Sequence, residues 1–262
     1  MIDIGYKEMK KIKKQLNKTA REQVNILDIT VDSTDISQVL TAVAEKVSHN
    51  IKFYITTPNP ELILASTKNK KLKDALNNAD FSIPDGVGLR TAVCNLNIIK
   101  GRVLFLQLVK LAYKNKWRVF FLGGLDNEAE LAAKKLGARF AKGPILNNEA
   151  KPVLERDIKL QIDVIKKINE YRPHLLFVAF GNPKQEIWIY KNLSKLNIGG
   201  AMAVGGTFRY LSGFSKLPPK WMEKLGLEWV WRFLTEPKRI FRIFNAFPLF
   251  PIRVWIHKLK TK

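Results

Sequence analysis

The sequence predicts an α/β protein in which a mostly parallel β-sheet is flanked by helices. Its middle part alternates continuous apolar runs with helical patterns, and several runs end at glycines that lead into a helix. The clearest runs are Trp117–Leu122 before Gly123-Gly124, His174–Phe180 before Gly181, and Ala201–Val204 before Gly205-Gly206. Strands that are apolar on both faces are typical of a parallel sheet covered by helices on each side. We expect its crossovers to be right-handed.

The other elements are predicted from local patterns in chain order. Asn25–Thr30 and Lys52–Thr57 are short runs rich in β-forming residues, and a helical pattern follows each of them. Further helices are predicted from Pro60, from near Val87, over Glu128–Leu136 and from Lys184. Ligands of such sheets bind beyond the carboxyl ends of the strands, so the site is expected there. The relevant strand ends are Thr57–Pro60, Pro84–Gly86, Gly123-Gly124 and Gly181–Pro183.

Length and charge limit the organisation and the partners of the chain. Its 262 residues suit one α/β domain with an appendage, or two small domains. We predict a basic N-terminal extension over residues 1–22, an α/β core over 23–215 and an appendage over 216–262. Lys and Arg total 45 against 23 Asp and Glu, which gives a net charge of +22. This charge indicates nucleic acid, an anionic membrane surface or a phosphorylated substrate as partner, without distinguishing among them.

The predicted appendage mixes basic residues with aromatic ones such as Trp221, Trp231 and Trp255. Such a composition is typical of a segment that lies at a membrane surface. Two other interpretations stay open: an amphipathic helical pair packed on the core with solvated cations, and a surface for single-stranded nucleic acid. No recognition-module signature supports the latter, so we do not expect nucleic acid as a partner.

Metal-ligand patterns are absent from the sequence. Cys94 is the single cysteine, which excludes an intramolecular disulfide and a multi-cysteine metal site. His49, His174 and His257 are scattered, and there is no Asp-x-Asp pair that would chelate a metal–nucleotide complex. We therefore predict no metal and no cofactor. The sequence also contains no signal-peptide pattern and no apolar run near the ~18 to 20 residues of a spanning helix.

Asp85 is the candidate catalytic residue. A carboxylate at a strand end, with Pro84 and Gly86 fixing the turn, suits a general base. An equally good interpretation is that Asp85 caps the helix predicted near Val87.

Thr57 and Asn59 lie at a second predicted strand end, where short polar side chains could bind sugar hydroxyls or phosphate. From the pattern alone, an Asx turn leading into the helix at Pro60 is the better interpretation.

Two further strand ends contribute candidates. Gly123 and Gly124 could let the backbone approach a diphosphate at the following helix N-terminus, although a GxGxxG fingerprint is absent. Gln185 could donate a hydrogen bond to a uracil or a phosphate, or it could be a solvated residue of the first helical turn.

A series of short motifs runs through the chain from about residue 25 to residue 245. The motifs are Thr57-x-Asn59-Pro60-Glu61, Pro84-Asp85-Gly86-x-Gly88, Phe121-Leu122-Gly123-Gly124, Gly181-x-Pro183-Lys184-Gln185-Glu186, Gly205-Gly206, Gly226-Leu227-Glu228-Trp229, Arg232 and Glu236-Pro237-x-Arg239-x-x-Arg242. Each motif is weak alone, but the ordered series is specific. In this series the chain resembles the WecG/TagA/CpsF family, glycosyltransferase family 26.

The resemblance implies a Rossmann-like α/β core and an inverting sugar transfer. The donor would be a UDP-sugar that carries N-acetylmannosamine or a related hexose derivative. The acceptor would be a sugar linked to undecaprenyl diphosphate or another polyprenyl diphosphate, used for cell-surface polysaccharide or teichoic acid. Such an enzyme is expected in the cytoplasm, bound peripherally to the inner face of the cell membrane.

The resemblance also implies roles for individual residues. Asp85 would deprotonate the acceptor hydroxyl, with Thr57 and Asn59 beside it and Gln185 at the donor or acceptor pocket. Three further residues match arginines of a C-terminal appendage that closes over the site at the membrane: Arg232, Arg239 and Arg242. These arginines would contact diphosphate and stabilise the leaving UDP without a metal.

The chain departs from the family pattern at several positions. Many members carry Arg-x-x-Gly-x-Asp where this chain has Ile98–Val103, so Lys100 or Arg102 is the expected substitute for the missing cation. Phe208-Arg209 and Lys216–Pro219 also differ from the usual residues. These differences leave the donor sugar and the acceptor open, as well as the choice between a monomer and a homo-oligomer.

Two functions from other classes are the alternatives to sugar transfer. A nucleotide-dependent oxidoreductase would need a cofactor fingerprint and a proton-relay residue, and neither is evident. A basic nucleic-acid-binding module would use the appendage to bind phosphates.

Overall fold

The computed structural model describes residues 22–225, 227, 230, 231, 234 and 248–260. Its strands are β1 (Glu22–Ile26), β2 (Ile29–Ser33), β3 (Phe53–Thr56), β4 (Phe81–Ser82), β5 (Val119–Gly123), β6 (Arg139–Ala141), β7 (Leu175–Ala179) and β8 (Gly200–Ala203). Its α-helices are α1 (Ile36–Ser48), α2 (Pro60–Ser66), α3 (Lys70–Asn77), α4 (Gly101–Lys114), α5 (Glu128–Leu136), α6 (Glu155–Tyr171), α7 (Lys184–Asn192), α8 (Thr207–Ser212), α9 (Lys220–Lys224) and α10 (Phe250–Lys260). Short 3₁₀ helices span Val87–Thr91 and Leu193–Lys195.

A six-stranded sheet in the order β4-β3-β8-β7-β5-β6 forms the centre of the protein, and its neighbouring strands pair in parallel. The predicted α/β class is therefore confirmed. Because all these strands run in one direction, their carboxyl ends lie at one edge of the sheet.

Helices cover both faces of the sheet. Along β7, Leu176 and Val178 point into a core shared with α2, α3, α6, α7 and α10. Leu175 and Phe177 point into the opposite core, shared with α1, α4, α5 and α8. Each connection to a strand nearer β4 crosses the first face, and each connection to a strand nearer β6 crosses the second face. All the crossovers therefore have the same handedness, as expected for a parallel sheet.

The N-terminal run predicted as one strand is a hairpin. The prediction of a strand over Asn25–Thr30 is wrong, because β1 and β2 pair antiparallel across it. Leu27 and Asp28 have positive φ angles of 51° and 63°, and the Asn25 side chain accepts a hydrogen bond from the Asp28 N–H. Two central residues with positive φ angles form the kind of turn that fits the twist of the two strands in a hairpin with a two-residue loop.

Two carboxylates, the buried Asp32 and the half-buried Asp80, fix the edge strand β4 and hence the loop after it. Asp32, from β2, accepts hydrogen bonds from the Ser82 N–H at 2.9 Å and from the Gln23 side chain at 2.9 Å. Asp80 accepts one from the Tyr54 N–H and pairs with the buried Lys46 at 3.0 Å. These contacts set the position at which the chain leaves β4.

The helix α10 packs on the first face of the sheet. Phe250 and Val254 are buried in that core, and α10 contacts α2. The interpretation that part of the appendage packs on the core is thus correct for α10. Within the described ranges, none of the helices combines the length and the apolar character that crossing a bilayer requires. The predicted domain boundaries stay predictions.

Candidate active site

A cleft of about 160 Å³ opens at the carboxyl edge of the sheet, between the loops that follow β3, β4, β7 and β8 and the start of α4. Its lining residues are Thr57, Asn59, Glu61, Asp85, Lys100, Gly101, Arg102, Gly181, Asn182, Gln185, Val204, Gly205, Gly206, Thr207 and Tyr210. Four predicted site residues, Thr57, Asn59, Asp85 and Gln185, are therefore brought together. Gly101 and Tyr210 also line the cleft, although no sequence pattern indicated a role for either.

Asp85 is held in the cleft by the backbone of its neighbouring loops. Its N–H donates to the Pro58 carbonyl at 2.9 Å, and the Ile99 N–H donates to the Pro84 carbonyl at 3.0 Å. Asp85 does not cap the following helix, because the N-cap is Gly86, which has a φ of 94° and no side-chain cap bond. The capping interpretation is therefore wrong, and the Asp85 carboxylate faces the cleft.

The N-terminus of α4 approaches Asp85 and Thr57 closely. A Cβ atom placed on Gly101 would lie 3.2 Å from Asp85 Oδ2 and 3.3 Å from Thr57 Oγ1. The far part of α4 is fixed by Phe105, whose ring packs against Phe177 with centroids 4.7 Å apart. The first turn of α4 thus presents backbone N–H groups and the positive end of its dipole to the cleft.

Lys100 and Arg102, the expected substitutes for the missing family cation, both line the cleft on either side of Gly101. Together with the helix N-terminus they make this wall electropositive, which suits a phosphate or diphosphate.

Asn59 caps α2 with its side-chain oxygen and also lines the cleft. Its Oδ1 accepts a hydrogen bond from the Leu62 N–H at 2.8 Å and so caps α2, as the pattern alone predicted. The cap uses the oxygen of the carboxamide, and the residue also lines the cleft. The remaining amino group can donate to a ligand.

Gln185 acts as a brace between loops. Its buried carboxamide donates from Nε2 to Asn182 Oδ1 and to Glu186 Oε1, both at 2.8 Å, and its Oε1 accepts from the Gly205 N–H at 3.1 Å. Both amide protons are therefore used within the protein. Gln185 positions the loops after β7 and β8, and the direct bond to a uracil or phosphate stays a prediction without geometric support.

Glu186 is a buried acid beneath the cleft that we did not single out from the sequence. Burial, reinforced by the nearby Glu61 carboxylate, raises the pKa of Glu186 to about 7, although the Gln185 bond opposes this. Its Oε2 atom has no hydrogen-bond partner among the described residues. A protonated carboxyl therefore fits this position better than a carboxylate.

Gly123 and Gly124 lie outside the set of lining residues. Gly123 has a φ of 91°, and a Cβ there would meet the Ala179 carbonyl at 2.7 Å, so this glycine permits close packing of β5 against β7. The next helix N-terminus already faces the buried Glu128 carboxylate, which accepts from the Leu125 N–H and contacts Arg209. The diphosphate role predicted for the two glycines stays a prediction that this geometry does not favour.

Three predicted residues, Arg232, Arg239 and Arg242, lie outside the described residues. In the part of the chain that the structure describes, His, Cys, Asp and Glu side chains do not gather into a group of three or more that could hold a metal ion.

A family model described as "Glycosyl transferase WecG/TagA/CpsF family" matches residues 24–262. The chain belongs to this family. The resemblance drawn from the motifs is confirmed, and the protein is a glycosyltransferase. Membership of the WecG/TagA/CpsF family supports neither the oxidoreductase nor the nucleic-acid-binding alternative.

Proteins similar to this chain include several from Staphylococcus aureus. In strains NCTC 8325 / PS 47, COL and N315 they are named N-acetylglucosaminyldiphosphoundecaprenol N-acetyl-beta-D-mannosaminyltransferase. Each is 29% identical over 249 residues, which cover 92% of this chain and 95% of the relative.

The close approach of α4 predicts that Gly101→Ala lowers sugar transfer by this WecG/TagA/CpsF family member. The added methyl group would push the Asp85 and Thr57 side chains away from α4 by a few tenths of an ångström. We expect kcat to fall about tenfold with little change in the unfolding midpoint, because small displacements of reacting groups are costly. Gly206→Ala is the matched control, since it also lines the cleft but meets no atom within 4 Å. Equal kcat values for the two variants would contradict this role of Gly101.

The raised pKa predicts how Glu186 affects stability. The folded protein holds this proton up to about pH 7, whereas the unfolded chain releases it near its ordinary pKa of about 4.3. The contribution of Glu186 to stability therefore falls between those values as pH rises. The free energy of unfolding of Glu186→Gln relative to wild type, measured with urea, should therefore be larger at pH 8 than at pH 4 by on the order of 3 kcal/mol.

Glu149→Gln provides a control of opposite sign. Lys71 and Lys151 lower the pKa of Glu149 to about 2, so its contribution to stability is lost only as pH falls from about 4.3 toward 2, and the difference between Glu149→Gln and wild type should stay nearly constant from pH 8 to pH 4 and shrink below it. The effect should be small because the pair is exposed. If Glu186→Gln and wild type show parallel pH profiles, the pKa of Glu186 is the same in the folded and unfolded protein, and the assignment fails.

Proposed function

We propose that the protein transfers N-acetylmannosamine or a related hexosyl group from a UDP-sugar, with inversion of the anomeric configuration. The proposed acceptor is a sugar linked to undecaprenyl diphosphate or another polyprenyl diphosphate. The product would serve the synthesis of cell-surface polysaccharide or teichoic acid. One observation carries this proposal: a single cleft joins Asp85 to an electropositive wall. The names of the staphylococcal relatives support the sugar and the lipid-linked acceptor.

The proposed reaction is a single displacement. The acceptor hydroxyl gives its proton to the Asp85 carboxylate, and its oxygen attacks the anomeric carbon of the donor. The bond from that carbon to the diphosphate oxygen breaks on the opposite side, so UDP leaves and the configuration inverts. Thr57 and Asn59 orient the sugars beside Asp85.

Positive charge stabilises the leaving diphosphate in this proposal. Lys100, Arg102 and the first N–H groups of α4 supply it from the described part of the cleft. Arg232, Arg239 and Arg242 are proposed to add bidentate contacts, as in the family pattern.

We propose further that α10 lies on an anionic membrane. Phe250 and Val254 are buried, whereas the opposite side of the helix exposes Ile252, Trp255 and Leu259 to 52%, 63% and 57%. Arg253 and Lys258 belong to the same helix. Exposed apolar side chains that include Trp, beside cations, suit the interfacial layer of a bilayer. We therefore propose that the enzyme is bound peripherally to the inner face of the cell membrane.

Asp85→Asn should abolish most of the transfer. The substitution keeps the size of the side chain but removes the proton acceptor, so kcat should fall at least about 100-fold while UDP still binds. Transfer would be measured by mass spectrometry with a panel of UDP-sugars and a synthetic polyprenyl-diphosphate-linked acceptor. Asp126→Asn, at an exposed loop position outside the cleft, is the matched control. Near-normal turnover of Asp85→Asn would remove Asp85 from the mechanism.

Replacing Ile252, Trp255 and Leu259 together by serine should weaken membrane binding without unfolding the protein. We expect at least about a tenfold loss of affinity for vesicles containing 30% phosphatidylglycerol, since the apolar contribution is lost. Residual binding should disappear at high salt, which screens the cations. Phe250→Ala, on the buried side, should instead lower stability by about 3 to 5 kcal/mol. Unchanged vesicle binding of the triple variant would refute the proposed membrane face.

A further inference from the structure

A second concavity lies beside the active-site cleft, between α2 and α10. This groove encloses about 370 Å³. Its lining residues are Glu61, Leu64, Ala65, Thr67, Lys68, Leu249 and Arg253.

We propose that this groove binds the first isoprenoid units of the acceptor lipid and that its cations bind the adjoining diphosphate. The identity of the lipid as an acceptor rests on the proposed function, whereas the binding of a prenyl diphosphate can be tested by itself.

The groove is continuous with the cleft. Glu61 lines both, and the α2 N-cap, Asn59, belongs to the cleft. One helical turn of about 5.4 Å separates Glu61 from Ala65 along α2. An acceptor whose sugar hydroxyl lies at Asp85 can therefore direct its lipid end along α2 into the groove.

The chemistry of the groove suits a prenyl diphosphate better than a nucleotide sugar. Its wall is formed by the aliphatic side chains of Leu64, Ala65 and Leu249, which offer few polar partners to a sugar or a base. Lys68 and Arg253 add two cations, which match the charge of a diphosphate. An apolar chain beside an anionic group is the pattern that this lining recognises.

One wall of the groove belongs to the part of the chain that forms the proposed membrane face. Leu249 and Arg253 belong to the groove, and Ile252 and Trp255 lie on the exposed side of the same stretch of chain. A lipid held in the bilayer can thus reach the cleft along one helix. For a prenyl diphosphate dissolved in water, each methylene that enters the groove improves affinity about fourfold. A few isoprene units therefore suffice to select longer chains over shorter ones.

Calorimetric binding of prenyl diphosphates tests the groove without requiring catalysis. The probes are isopentenyl, geranyl and farnesyl diphosphate, and the affinity of the wild-type protein should rise at least tenfold from the first to the third. Ala65→Trp fills the groove from an exposed helix position and should cancel this gain, while leaving isopentenyl diphosphate nearly unaffected. Ala65→Ser leaves the space open and should behave like wild type. A Lys68→Gln, Arg253→Gln double variant should weaken all three probes alike.

Affinity that does not depend on chain length, or an Ala65→Trp variant that binds farnesyl diphosphate like Ala65→Ser, would overturn the proposal. A thermal unfolding midpoint within a few degrees of wild type shows that Ala65→Trp is folded. Should that variant unfold, the chain-length series on the wild-type protein decides the question alone.

The transfer assay separates this inference from the proposed function. Chain-length-dependent binding without transfer from any UDP-sugar would support the groove and refute the proposed reaction. Transfer with a KM that is the same for acceptors of one and three isoprene units would support the reaction and refute the groove.

Discussion

The parallel pairing of β3, β8, β7 and β5 is the constraint on which the rest of the structure depends. Parallel strands bring their carboxyl ends to one edge, so loops distant in sequence become neighbours. Gly123 pairs with Ala179, and Ile55 with Met202, which fixes how far each strand extends before its loop begins. The cleft is therefore a consequence of sheet register: Asp85 and Gln185, a hundred residues apart, line one cavity.

Buried polar groups convert this topology into a defined geometry. Asp32 and Asp80 anchor β4, and Gln185 ties the loop after β7 to the loop after β8. Such groups are costly to bury unless they are hydrogen-bonded, so each satisfied contact restricts the loop to one arrangement. Exceptions remain among the described residues: Glu186, Thr56 and Ser82 each have a buried side-chain oxygen without a hydrogen-bond partner, and Arg209 has such a nitrogen. The loops that line the cleft are thus held in place largely by hydrogen bonds within the protein.

Local signals predicted the elements, while tertiary contacts decided the roles of side chains. The helices from Pro60, over Glu128–Leu136 and from Lys184 begin where proline, acidic residues and strand-ending glycines indicated. The hairpin at Leu27 was missed because leucine rarely adopts a positive φ. From the sequence, Asp85 could equally well be a helix cap or a general base. Only the fold shows that Gly86 occupies the cap position. Gln185 could not be identified as a brace, because its partners Asn182, Glu186 and Gly205 meet only through the sheet.

In the proposed function, α10 links the membrane to the active-site cleft because it has one buried and one exposed apolar face. A helix that were apolar on one face only would either pack on the core or bind lipid, whereas α10 buries Phe250 and exposes Trp255. Its position against α2 means that a bilayer on the exposed side lies within reach of the groove and of Glu61 at the edge of the cleft. In the proposed reaction, only the sugar and the diphosphate of a lipid-linked acceptor reach Asp85, so the rest of the acceptor can stay in the membrane. Exposure of the long prenyl chain to water is thereby avoided, and contacts of the first isoprene units with the groove can orient the acceptor hydroxyl.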